Sequence, residues 1–380
     1  MMNASRLRGL LDHLIELNSR HRIAKLLSAA HGQLSNLAGE PSNASHQQAL
    51  VASIVSLENA ESEMLSELTP AQLDFLDELD GHTYFDGSIA DFIREILSEN
   101  PATPSVARDK LGEFQTERNT YLENITKLRD SMEQLGIVSE PLEEGQAEVG
   151  FLIPREVFES ELNKLIAELR ILRRMVRAFS EASTGGAEEI EVRSISTSDP
   201  LFFFGLGVPT IIAIGKATTW ALSTWKQVEE IRKIRAETEH VNALKDGEVA
   251  KILDAKITET IEAEVKKEAD RIAKASPTDG ARKNEQRTDL EWTLKSLLAH
   301  IERGVTIDIR LAKPSMEVNE EGEPREPPEA YQTLQKLTTE LIFPPIGESE
   351  PILQIPAPPG DDNTSSRNAS TRRRRPTAKE

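Results

Sequence analysis

Between positions 111 and 135, large side chains recur at alternating intervals of three and four residues. This is the heptad pattern, whose a and d positions form one narrow stripe along a helix. A facing helix shields a stripe of that width from water, so the pattern predicts a long helix with a helical partner. The members of this first seam are Leu111, Phe114, Arg118, Tyr121, Ile125, Leu128, Met132 and Leu135.

A second seam with the same spacing follows a glycine- and proline-containing break at residues 136–154. Two seams separated by such a break predict an antiparallel hairpin within the chain, although each seam could equally pair with another chain. Arg118 occupies a core position of the first seam, where a charged group costs stability and fixes the register or the choice of partner. The members of the second seam are Phe158, Leu162, Leu165, Leu169, Leu172, Val176 and Phe179.

The hydrophobic patterning as a whole predicts a mainly α protein: a helical bundle plus long coiled-coil-like helices, with a small β patch. Minor strands are expected near 149–153, 189–196, 305–312 and 352–355. The predicted segments are an N-terminal helical bundle (1–100), a coiled-coil-like helical hairpin (105–183), an apolar segment followed by a long charged helix (199–275), a C-terminal helix and strand region (284–355) and a disordered tail (356–380).

Helix signals dominate the N-terminal bundle. Leucines at helical spacing predict one helix over about residues 7–37. Thr69 and Gln72 form the pattern of a capping box, in which the two side chains cap each other's backbone amides. Ser88 with Asp91 predicts a second helix start of the same kind before residue 89.

Residues 226–274 are dense in Glu, Lys, Arg and Ala and contain no proline. That composition predicts one very long helix, or two helices joined near Asp246 and Gly247. A helix of some fifty residues would span about 75 Å. It must therefore pair with another helix along much of its length or stand in solvent.

Residues 201–225 form the most apolar stretch and hold a single charge, Lys216. As one helix, the stretch would be long enough to cross a hydrocarbon layer of about 30 Å. Three interpretations stay open: a buried core helix with a glycine-rich approach, a segment that inserts into a membrane, constitutively or after a trigger, and a protein-binding face. The candidate membrane or partner contacts are Phe202, Phe203, Phe204, Trp220 and Trp225.

Net charge and cysteine content exclude several kinds of binding partner and site. The formal net charge of −19 makes the body of the chain repel nucleic acid and anionic lipid. Nucleic-acid contact is expected only weakly, through the basic run Arg372, Arg373, Arg374 and Arg375. The absence of cysteine excludes disulfides and thiolate metal sites and fits a cytoplasmic location, with membrane association as the alternative.

Motifs for catalysis, cofactors or metals are not found in the sequence. The stretch from Thr210 to Thr218 resembles a phosphate loop only superficially, because Thr210 replaces its first glycine and Ala217 its magnesium-binding hydroxyl. The seven histidines include no i,i+3 or i,i+4 pair for a metal site on a helix. No catalytic, cofactor-binding or metal-ligating residue is therefore predicted.

These patterns predict a non-enzymatic helical scaffold or interaction protein that assembles through its coiled-coil seams, with itself or with a protein partner. The alternative is a membrane-associating, effector-like protein that inserts residues 201–225. An enzyme whose site residues are distant in sequence is a second alternative, which no motif supports.

Overall fold

The computed structural model describes residues 4–139, 142, 146–196, 201–241, 246–278, 282–312, 328–344 and 353–356. Helix accounts for 73% of the structure, and the small sheet is antiparallel, which confirms the mainly α fold with a minor β patch. The α-helices are α1 (Ala4–Arg20), α2 (Ile23–Gly39), α3 (Ala44–Leu65), α4 (Pro70–Glu78), α5 (Ile89–Glu99), α6 (Pro104–Gln134), α7 (Leu162–Thr184), α8 (Val208–Val241), α9 (Asp246–Ala275), α10 (Arg282–Glu302) and α11 (Glu329–Glu340). The strands are β1 (Ala147–Leu152), β2 (Glu191–Ser196), β3 (Leu201–Leu206) and β4 (Thr306–Leu311).

The chain divides into two compact units, each assembled from separate stretches of sequence. Unit 1 comprises Met1–Gly150, Arg193–Phe203 and Asp308–Ile342. Unit 2 comprises Phe151–Val192, Phe204–Ile307 and Phe343–Glu380. The five-segment division of the sequence stays a prediction.

The core of unit 1 is formed by α1 to α6. The prediction of one helix over residues 7–37 is wrong in its continuity, because α1 ends at Arg20 and α2 begins at Ile23. Arg22 between them has a left-handed backbone with φ 55°, which interrupts the helix at that point. Helix α2 then packs against both α3 and α6. The leucine pattern continues across the turn because both helices bury their leucines in the same core.

The capping box at the start of α4 is confirmed, with Thr69 and Gln72 bonded to each other's backbone amides. The Ser88 cap of α5 is wrong: the Ser88 side chain makes no capping bond. Glu61 of α3 replaces it, and its two carboxylate oxygens accept hydrogen bonds from the amides of Ile89 and Ala90, each at 2.9 Å. Glu61 is buried at 1% exposure, so a distant acid caps this helix from inside the core.

The strands form one sheet in the order β2-β3-β1-β4. Strand β3 was not predicted, because its apolar residues read as the beginning of a helix. The strand expected near 352–355 is not formed by the described residues 353–356. The Leu353 amide instead donates to the carboxylate of Glu302 at 2.8 Å, which uses a group that a strand would need for pairing.

Arg6 attaches α1 to the sheet within unit 1. Its Nη1 lies 2.8 Å from Glu148 Oε1 on β1, and its Nη2 donates to Ser194 Oγ on β2 at 2.9 Å. The guanidinium carbon lies 3.2 Å from the centroid of the Phe203 ring on β3. Arg310 of β4 donates to the same Glu148 oxygen at 2.8 Å. Burial lowers the pKa of Arg6, and the Glu148 carboxylate offsets part of that cost.

Helix α10 is the central element of unit 2, since it packs against α7, α8 and α9. It is buried on nearly all sides, including the polar residues Thr293, Ser296 and His300. His300 contacts Glu168 of α7, with 2.8 Å between Nε2 and Oε2. Both side chains are buried, so this is an ionisable pair enclosed by helices.

The apolar stretch 201–225 is a strand followed by the first turns of α8, and the single-helix interpretation is wrong. The break falls at Gly207, whose amide donates to Glu188 at 3.1 Å. In the described part of the chain, no helix has the length and hydropathy needed to cross a membrane.

The long charged helix predicted beyond residue 226 is two helices, since α8 ends at Val241 and α9 begins at Asp246. This agrees with the predicted joint near Asp246 and Gly247. The basic run at 372–375 and residues 357–380 of the predicted disordered tail lie outside the described residues.

Candidate interaction surface

The first seam lies on α6, a helix of 31 residues that begins with Pro104 at its first turn. Proline suits that position because a first-turn amide has no partner within the helix. Helix α6 packs against α1, α2 and α5 of unit 1. The a positions of the seam face this core and are all buried: Leu111 0%, Arg118 0%, Ile125 5% and Met132 6% exposed.

The d positions of the same seam divide into a covered half and an uncovered half. Phe114 and Tyr121 are partly buried in an aromatic cluster. The Phe114 ring stacks obliquely on Phe92, and the rings of Phe114 and Tyr121 both contact Tyr84. Leu128 is 41% exposed and Leu135 is 77% exposed. The unit therefore shields the a flank along the whole helix, but it shields the d flank only up to about Tyr121.

Five exposed residues, among them the two uncovered leucines, form a strip that we call the α6 surface. Four members share one side of α6 and the fifth, the residue directly after its end, continues that side, at the relative positions i, i+3, i+4, i+7 and i+11. They are Asn124, Lys127, Leu128, Ser131 and Leu135. The strip holds two leucines, two neutral polar groups and one cation, and none of its members is acidic. The Lys127 Nζ lies 3.5 Å from Glu123 Oε2 at its margin.

Arg118 is the polar member of the seam and is wholly buried. Its Nη2 donates to Asn18 Oδ1 at 2.8 Å, and its guanidinium carbon lies 5.8 Å from the Phe85 ring centroid. Its Nε and Nη1 find no hydrogen-bond acceptor among the described residues. Burial lowers the pKa of Arg118 to about 10, against the opposing influence of the Glu61 carboxylate.

Replacing Arg118 by methionine is expected to change the free energy of unfolding by no more than about 1 kcal/mol, because loss of a poorly paired buried cation offsets loss of its contacts. Thermal unfolding followed by circular dichroism measures the change. Arg108→Met, at a partly exposed position of the same helix, is the control. A loss of about 3 kcal/mol or more would show that Arg118 holds the core together, against this prediction.

The second seam lies in unit 2, where α7 packs against α8, α9 and α10. Phe158 precedes the helix, which begins at Leu162, because Glu159 and Ser160 have left-handed backbones with φ 50° and 57°. Exposure increases toward the N-terminus of α7: Leu172, Val176 and Phe179 are buried, Leu165 and Leu169 are partly buried, and Leu162 is 71% exposed. Each seam thus packs on helices of its own unit, and a hairpin between the two seams stays a prediction.

The aromatic residues expected to meet a membrane or a partner are mostly interior. Phe202, Phe203 and Phe204 on β3 are 5%, 3% and 8% exposed. On α8, Trp225 is 6% exposed and has the Arg232 guanidinium 4.7 Å from its ring centroid, while Trp220 is partly buried. These side chains belong to the cores of their units.

The sequence does not predict the two buried glutamates that form hydrogen bonds inside the cores of the units. Glu168 is a buried neighbour of the second seam, and Glu61 is a buried neighbour of the stripe on α3. An acid beside an apolar stripe is normally the solvent-facing edge of a helix, so neither residue carries a sequence signal. Among the described residues, no group of three or more His, Cys, Asp or Glu side chains is placed to hold a metal ion.

Comparisons of the chain with protein-family models, with curated proteins and with solved structures find no match.

Proposed function

We propose that this chain is a non-enzymatic helical interaction protein that assembles with a helix of another polypeptide through the α6 surface. The observation that carries the proposal is the uncovered half of the first seam. Leu128 and Leu135 lie seven residues apart and are exposed at 41% and 77%. Two residues seven apart occupy almost the same side of a helix, so they form one apolar stripe rather than scattered exposed leucines.

The setting of the stripe favours a protein partner. Its neighbours on α6 are the short polar side chains of Asn124 and Ser131 and the long side chain of Lys127, whose charged end can stay in water while another helix covers the leucines. The buried a flank anchors α6 in unit 1, so the stripe is presented on a rigid element. The cysteine-free composition favours a reducing compartment, and we place this assembly in the cytoplasm.

The double substitution Leu128→Glu, Leu135→Glu tests the proposal. We expect the wild-type chain to bind a fluorescein-labelled synthetic helix with leucine at the a and d positions of four heptads. The variant should bind it about tenfold more weakly or not at all, because a carboxylate must then be desolvated against the apolar helix. Fluorescence anisotropy at peptide concentrations where the peptide is monomeric measures the affinity.

The control is Val51→Glu, Val55→Glu on α3, where two valines with 60% and 45% exposure lie one turn apart and away from the seam. This variant should bind the peptide as the wild type does, and both variants should keep the wild-type circular dichroism. Equal affinity of the wild type and the leucine variant, or no binding by the wild type, would overturn the proposal.

A further inference from the structure

We infer that the occupant of the α6 surface is a second copy of this chain, with the two α6 helices antiparallel across a two-fold axis between Ser131 and Met132. The inference rests on the proposed function and names the partner of that surface. In this arrangement Leu128 of each copy packs against Leu135 of the other.

The covered half of the seam decides the direction of the second helix. Up to Tyr121, the d flank is occupied by Tyr84 and by Phe92 of α5. A parallel second helix would place the two covered halves side by side, so that α5 of one copy meets α5 of the other. An antiparallel second helix overlaps only the uncovered turns, and the two covered halves point away from each other.

The position of the axis follows from the two leucines. With an axis between residues 131 and 132, position 128 faces position 135 of the other copy, and the contact is made twice by symmetry. Residue 121 of one copy then faces position 142 of the other, beyond the end of α6 at Gln134. The α6 helix of the second copy therefore stops short of the aromatic cluster. The helix dipoles also run in opposite directions, which is the favourable orientation.

Charge favours self-association at this place more than on most of the protein. The chain carries a net charge of −19, so two copies repel each other over most surfaces. The α6 surface has no acid, and its one cation, Lys127, faces Gly136 of the second copy rather than another lysine. The members of the strip therefore bring no two like charges together between the copies.

The size of the contact sets its strength. The leucines and their neighbours would bury roughly 500 Å² in total, below the roughly 1,200 Å² of a stable specific interface. We therefore expect a weak, reversible dimer with a dissociation constant on the order of 0.1 mM. Such a dimer forms at high local concentration and releases readily.

The absence of cysteine permits a direct test with single cysteines in the full-length chain. Ser131 is next to the proposed axis, so Ser131→Cys should form a disulfide-linked dimer on mild oxidation at about 0.2 mM protein. Asn124→Cys lies on the same exposed strip, but the two copies of position 124 would be ~22 Å apart along the axis. A disulfide requires Cα atoms within about 7 Å, so this variant should stay monomeric.

We expect at least about ten times more dimer from Ser131→Cys than from Asn124→Cys on a non-reducing gel, and loss of that dimer when Leu135→Glu is added. Equal yields from the two positions would overturn the antiparallel arrangement. If neither cysteine links while the heptad peptide still binds, the second copy is not the partner, although the proposed function stands. If peptide binding also fails, both proposals fall.

Discussion

Glu168→Ala is expected to lower the free energy of unfolding of unit 2 by about 3 to 5 kcal/mol, the usual cost of removing one member of a buried pair. The His300 Nδ1 lies 2.6 Å from the Ser296 carbonyl oxygen, which can only accept, so this nitrogen carries a hydrogen. The distance of 2.8 Å between His300 Nε2 and Glu168 Oε2 is that of a hydrogen bond. Alanine removes the partner of that nitrogen and leaves a cavity beside it.

Tryptophan fluorescence during urea unfolding measures this effect, because all three tryptophans, Trp220, Trp225 and Trp292, belong to unit 2. Glu181→Ala is the matched control on the same helix, since Glu181 makes a surface i,i+4 pair with Arg177 and should contribute less than about 0.5 kcal/mol.

Glu168→Gln distinguishes the hydrogen bond from the charge. Its side-chain amide keeps a hydrogen-bonding partner beside Nε2, so this variant should stay within about 1 kcal/mol of the wild type. An alanine variant as stable as the wild type would show that the pair does not stabilise unit 2.

Glu61→Ala is expected to lower the free energy of unfolding of unit 1 by about 2 to 4 kcal/mol, because the first two amides of α5 lose the carboxylate that caps them in a place without access to solvent. Hydrogen exchange of a peptide spanning Ile89 and Ala90 should accelerate in the variant, since these amides donate to Glu61. Glu58→Ala, one turn earlier on α3 with an exposed partner in Arg94, is the control and should leave this exchange unchanged.

The cost of Glu61→Ala should also depend on pH. Burial raises the pKa of Glu61 above its ordinary value, and the amides of Ala90 and Ile89 offset only part of that shift. The Glu61 carboxyl therefore binds its proton more tightly in the folded chain than in the unfolded chain. The contribution of Glu61 to the free energy of unfolding falls as pH rises from the ordinary carboxyl pKa through the raised one. The substitution should cost more at mildly acidic pH than at pH 7. A cost that is smaller in acid would contradict the raised pKa.

Much of the helical architecture was predictable because local patterns carry it. The heptad spacing located α6 and most of α7, and the alternation of apolar residues located β4. The pairing of Thr69 with Gln72 is local and was recognised correctly, whereas the cap of α5 comes from Glu61, 28 residues away. A cap from another helix leaves no mark on the sequence around the amides that it satisfies.

The seams show the same division. Spacing alone identifies Leu128 and Leu135 as members of an apolar stripe together with Phe114 and Tyr121. The spacing does not show that unit 1 partly buries the two aromatic side chains and leaves the two leucines 41% and 77% exposed. The candidate interaction surface is therefore a property of how unit 1 packs, although every residue in it was visible in the pattern.

The amino-acid sequence by itself determined that α6 is a helix, which of its sides is apolar and where the capping box of α4 lies, because each of these depends on neighbours within a few residues. Only the tertiary structure decided that α1 and α2 separate at Arg22, that residues 201–206 pair as a strand and that Glu168 meets His300. The physical reason is that burial and pairing free energies arise between residues far apart along the chain. A periodic apolar stripe shows that a helix side must be shielded from water, but it does not identify the element that packs on it.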